Sequence, residues 1–158
     1  NSILIFHLNY KNKNFKDNIE SQKHFSKDMR DFLNLGYKII FIYPLPQMKV
    51  HVSNVLAEEI SSNRGKSIEI LDNRNNFISI DYREFKREAN YIKNFLNNIE
   101  DKNIYRLNAE NIFCNTDLEN KCIAHDNENL LFIDNNHLSS FSSKLISKEL
   151  LKLIKQIN

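Results

Sequence analysis

The stretch YKIIFIYPLP, residues 37–46, constrains the fold most. Its apolar residues run without a polar break until Pro44 and Pro46 stop them. A strand with one wet face alternates apolar and polar side chains. An unbroken short run suits a strand covered on both faces, as in a parallel sheet. SILIFHLNY (residues 2–10) is a second such run, NIYRLNAENIF leads from a third into a loop, and NLLFID is a fourth. The segments between them show helical spacing. In FKDNIESQKHFSKDMRDFLNLG, Ile19, Phe25, Met29, Phe32 and Leu33 recur on one side, and Gly36 is placed to end the helix. In DYREFKREANYIKNFLNNIED, Phe85, Ala89, Ile92, Phe95, Leu96 and Ile99 form a stripe that Asp81 can cap. The last helix, SSFSSKLISKELLKLIKQI, turns Phe141, Leu145, Ile146, Leu150, Leu153, Ile154 and Ile157 inward, with Ser139 as its cap.

VSNVLAEEISSN reads as a further helix with Ser53 as a possible cap, and KSIEILDNRNNFISI as one or two short strands or an irregular insertion. The order β-α-β-(insertion)-α-β-β-α predicts an α/β fold. Its form is a three-layer α/β/α sandwich with a mainly parallel sheet, formed by residues 1–158 as a single domain. In such sheets functional groups gather at the C-terminal ends of the strands.

Composition narrows the partners. The net charge of +2 comes from lysines interleaved with acids, which gives no nucleic-acid footprint. No apolar run approaches the ~20 residues that cross a bilayer. The only glycines, Gly36 and Gly65, sit in no phosphate-cradling motif. The chain opens Asn1-Ser2 without Met, which suggests a processed or excised fragment with targeting signals upstream.

The chemistry concentrates in FIDNNHLSSFSS, residues 132–143. Asp134 falls at the end of the fourth apolar run and His137 in the turn before the last helix. A carboxylate beside an imidazole fixes its tautomer and stabilises the imidazolium that forms during proton transfer. The plainer alternative is a carboxylate that caps a turn beside an exposed histidine. Cys114 and Cys122 likewise leave readings open: a short disulfide loop, free thiols, or with His125 a metal site.

FIDNNHLSSFSSKLISKEL resembles the last motif block of the SGNH hydrolases, an Asp-x-x-His before a final helix. It is closest to the SGNH domain fused to membrane-bound acyltransferase-3 proteins, whose block reads acid-x-x-His-Leu-Ser; here these are Asp134, His137, Leu138 and Ser139. SILIFHLNY, IYPLPQMKV and the cysteine-bounded FCNTDLENKC resemble the same domain. The resemblance implies that His137 is the general base and Asp134 its orienter. The family's nucleophile is the serine of a Gly-Asp-Ser block, which is absent here. Either that block and its N-terminal strand lie upstream of Asn1, or the chain is a degenerate copy. Ser139 and Ser140 are too close in sequence to His137 to substitute. Asn9 and His7 fall about where the family places oxyanion donors, although a turn role suits Asn9 better.

The resemblance also implies a Cys114–Cys122 disulfide and a periplasmic or extracellular setting at the inner membrane. It implies a membrane acyltransferase module in the same polypeptide, and no metal or other cofactor. The expected function is O-acyl transfer or ester hydrolysis on a cell-envelope glycan, from a glycan substrate and an acyl donor. The alternatives are a non-catalytic domain that binds glycan or scaffolds the membrane module, and an unrelated flavodoxin-like binding domain.

Overall fold

A computed structural model describes residues 2–62 and 77–157. The candidate insertion KSIEILDNRNN, residues 66–76, lies outside the described residues. The chain divides into two compact units, residues 1–45 with 86–108, and residues 46–85 with 109–158.

The first unit holds a parallel sheet of β1 (Ile3–His7), β2 (Lys38–Ile42) and β4 (Ile104–Leu107). β2 is central, paired with β1 from Ile3↔Lys38 to His7↔Ile42 and with β4 from Ile39↔Ile104 to Ile42↔Leu107. Ile39, Ile40 and Phe41 of β2 are fully buried, as their unbroken apolar run requires. Helix α1 (Lys13–Lys16) and helix α2 (Ile19–Asn34) start on asparagine caps, Asn12 and Asn18, whose side chains accept the amides of Phe15 and Ser21. The sheet is sealed by rings: Phe25 packs edge-on to Phe6 at 6.0 Å and to Phe15 at 5.8 Å, and Phe15 meets Phe95 at 5.2 Å.

α2 ends as its glycine predicted. Gly36 has φ +86°. Its amide bonds the Leu33 carbonyl at 2.9 Å, and the Tyr37 amide bonds that of Phe32 at 3.1 Å. That is a Schellman closure, and the Phe32 and Tyr37 rings meet across it at 5.9 Å. Ile19, expected inside, is 68% exposed because it is the first residue of the helix.

The second unit holds α3 (Val52–Ser62) and the antiparallel pair β3 (Ser79–Asp81) and β5 (Lys121–Ile123), in register Ser79↔Ile123 to Asp81↔Lys121. It also contains a 3₁₀ turn (Glu110–Ile112) and the last helix, α5 (Ser140–Ile157). Helix α4 (Tyr82–Asn97) is capped by Asp81, whose Oδ1 accepts the Glu84 amide at 3.0 Å.

An α/β fold with a parallel sheet flanked by helices is what the alternation predicted. Besides Ile19, two expectations fail. NLLFID forms no regular strand: it makes only the isolated bridges His125↔Leu130 and Phe132↔Leu138, because its amides turn into a tight reversal. Its unbroken apolar character reflects burial of Leu131 and Phe132, which periodicity cannot tell from a strand. β5, which the sequence did not point to, pairs antiparallel with β3. Phe141, expected inside, is 38% exposed.

Candidate active site

The site is a reversal of the chain between Leu131 and Ser139. Its base is anchored twice. The carbonyl of Ala124, just past β5, accepts the amides of both Leu131 and Phe132, at 2.8 and 3.0 Å. Phe132 is fully buried and packs against the equally buried Phe113, their rings 4.9 Å apart. The arms are tied by Ser139 N–H to Leu131 O at 3.0 Å and Ile133 N–H to His137 O at 2.9 Å. Ser139 also caps α5, its Oγ accepting the Ser142 amide at 3.2 Å.

At the tip one carboxylate does two jobs. Asp134 Oδ1 accepts the amides of Asn136 (2.8 Å) and His137 (2.7 Å), closing the turn. Asp134 Oδ2 faces His137 Nδ1 at 2.7 Å. Turn capping and imidazole orientation, rivals in the sequence, are here divided between two oxygens of one side chain. The Asn136 amide, then the His137 amide, then the imidazole hold Asp134 well below the usual carboxylate range. Asp134 is therefore the anion. An ionised carboxylate only accepts, so it assigns a proton to Nδ1 and leaves Nε2 of the neutral ring with its lone pair. The His137 side chain is 74% exposed and that of Asp134 21%, so the imidazole faces outward from a held partner.

Two further residues, missed from the sequence, hold the turn from the side. The Met48 amide donates to Asn135 O at 2.7 Å and the Ser53 amide to Ile133 O at 3.0 Å. The accepting carbonyls flank Asp134. Ser53 is thus not the cap of α3. It lies within the first turn, where helical amides have no intrahelical acceptor, and it donates its amide to the site loop. Its Oγ lies 3.3 Å from His51 Nδ1. Only the serine near a helix start hinted at this, and that signal pointed to capping.

Cys114 and Cys122 form a disulfide, and they face each other as an antiparallel pair. This overturns the metal alternative. His125 has both ring nitrogens engaged by backbone: Nε2 accepts the Ile78 amide at 3.2 Å, and Nδ1 donates to the Asp126 carbonyl at 3.2 Å. His125 is buried, it lies 5.0 Å from the Phe77 ring, and burial pushes its pKa down. His7 ends β1 in the first unit, and Asn9 follows it. Asn9 Oδ1 accepts the Lys11 amide at 2.8 Å, the turn role that suited it better in the sequence.

A family model described as "SGNH domain (fused to AT3 domains)" matches residues 3–152. A search of curated protein sequences finds no match. Among solved structures, the periplasmic domain of a lipopolysaccharide acetyltransferase from Salmonella ser. Paratyphi A is similar in fold, with a TM-score of 0.62 at 16% identity. The similarity covers 97% of this chain and 56% of that one, so the chain spans little more than half of its structural neighbour.

Proposed function

The chain belongs to the SGNH domains fused to AT3 domains, and from that premise we propose that it serves O-acyl transfer or ester hydrolysis on a cell-envelope glycan. The carrying observation is the 2.7 Å contact between His137 Nδ1 and Asp134 Oδ2, on an imidazole whose side chain is exposed. The nucleophile is a serine outside residues 1–158. His137 Nε2 takes its proton as Oγ attacks the acyl carbonyl, then returns that proton to the leaving oxygen as the tetrahedral intermediate collapses to an acyl-serine. In the second half, Nε2 takes a proton from a sugar hydroxyl, or from water, and returns it to the serine. Transfer and hydrolysis differ only in that acceptor. Asp134, held as the anion, stabilises the imidazolium in both halves.

The similar fold of a lipopolysaccharide acetyltransferase domain supports acetyl as the acyl group and an envelope glycan as acceptor. The family's description as fused to AT3 domains supports a membrane acyltransferase module in the same polypeptide, and the similar periplasmic domain supports a periplasmic setting. The test is product analysis with a longer polypeptide that extends upstream of Asn1, given an acetyl ester and an envelope glycan. Acetylated glycan or released acetate is expected.

One observation favours a second reading. Residues 1–158 contain no Gly-Asp-Ser, as a non-catalytic glycan-binding or scaffolding copy also would not. Glycan binding with no acyl product from the longer polypeptide would select that reading.

A further inference from the structure

The outward arc of α5 is distinctive in charge. It presents Ser143, Lys144, Ser147, Lys148, Leu151, Lys152 and Lys155 along one side of the helix, while Ser142 and Ile146 are buried on the other. Lys144, Lys148, Lys152 and Lys155 follow the i, i+4, i+8, i+11 spacing that stacks residues on one face. Lys152 pairs with Glu149 at 2.6 Å. Among the described residues, Lys144, Lys148 and Lys155 make no ion pair. The cationic face of α2 differs, since Lys27 there is matched by Asp31 at 2.7 Å. Like charges four residues apart destabilise a helix, so this face carries an electrostatic cost in isolation that an anionic partner removes. It is also not purely polar. Leu151 is 56% exposed among the lysines and Phe141 is 38% exposed at the helix start. Lysines with exposed large apolar side chains on one arc are the composition of a helix that lies on an anionic bilayer, where the lysines meet headgroups and the apolar groups enter the acyl boundary.

We propose that this face of α5 docks on the anionic phospholipid surface of a membrane. Charge complementarity selects an anionic surface, and Leu151 with Phe141 selects a bilayer over a soluble polyanion. The inference does not depend on the catalytic reading, because no residue of the arc belongs to the Asp134–His137 site.

The experiment is co-sedimentation of the chain with vesicles of phosphatidylcholine alone or of phosphatidylcholine with one quarter phosphatidylglycerol. The variants are a triple Lys144→Gln, Lys148→Gln, Lys155→Gln protein and a Leu151→Ser protein, all at exposed positions. The chain is expected to partition to the anionic vesicles only and to be released at about 1 M salt, where screening acts within a few ångströms. Each lysine at an anionic surface contributes roughly fivefold, so the triple variant should bind on the order of 10²-fold more weakly. Leu151→Ser should weaken binding several-fold without changing its salt dependence. Equal partitioning to neutral vesicles, or equal binding by the triple variant, overturns the proposal. So does an unchanged Leu151→Ser protein together with full competition by dextran sulfate, which would assign the face to a soluble polyanion.

Discussion

Replacing Cys114 and Cys122 together by alanine tests how the site is supported. The disulfide joins residues eight apart. In the chain-entropy treatment, cutting a loop of that length releases about 2.5 kcal/mol of constraint from the unfolded state at 25 °C. Both cysteines are buried, so alanine is the cleaner replacement; serine would bury a hydroxyl as well. For a domain of this size, such a loss lowers Tm by roughly 5–10 °C. Urea denaturation followed by circular dichroism reads it directly, and the unsubstituted chain treated with reductant should approach the same midpoint. The effect should reach the site, because β5 carries Cys122 and leads into Ala124, whose carbonyl holds Leu131 and Phe132. If the bond is what keeps this anchor closed, the Leu131 and Phe132 amides should exchange up to ~60-fold faster in the variant, the equivalent of about 2.5 kcal/mol. A midpoint within about 0.5 kcal/mol of the parent, with unchanged exchange, would refute this. The β3–β5 pairing and the Ile123 amide to Phe113 carbonyl bond would then suffice alone.

Other expectations are narrower. Gly36→Ala meets no atom within 4 Å of the added methyl, so its cost, about 1–2 kcal/mol by thermal melting, should come from the positive φ alone; an unchanged Tm would contradict the Schellman closure. His125 has its pKa lowered by burial, so the folded state binds fewer protons than the unfolded chain as pH falls through the ordinary histidine range near 6.5. Stability should be full above that pH and decline below it, and His125→Gln should flatten the decline between about pH 6.5 and 5 in denaturation measured across pH. The amides of Met48, Ser53 and Ile133 should be protected from hydrogen exchange and open together; if Ser53 exchanges at an unprotected rate while Ile133 stays slow, α3 does not hold the loop.

What could be read in the sequence was what repeats or caps. The β1 and β2 runs, the stripes of α2 and α4, the stop at Gly36 and the starts at Asp81 and Ser139 follow from side-chain period and backbone chemistry, which act within a few residues. Asp134 and His137 were legible for the same reason: three residues apart, they meet across a single turn. NLLFID misled because burial writes the same apolar run whether the backbone pairs as a strand or reverses on itself. Met48 and Ser53 were illegible because they act through main-chain amides, which every residue but proline carries. Phe141 was misplaced because it sits in the first turn of α5, at the edge of a stripe wide enough to spill onto the outer arc.

The central claim is that His137 is the base and Asp134 its orienter. The most direct test measures acyl turnover by the longer polypeptide carrying His137→Ala or Asp134→Asn, each confirmed folded by circular dichroism. Loss of a positioned general base is expected to lower kcat on the order of 10²–10⁴-fold with little change in KM. Asp134→Asn should fall in the same direction because the amide cannot stabilise the imidazolium. Turnover by His137→Ala within about threefold of the parent would contradict the account.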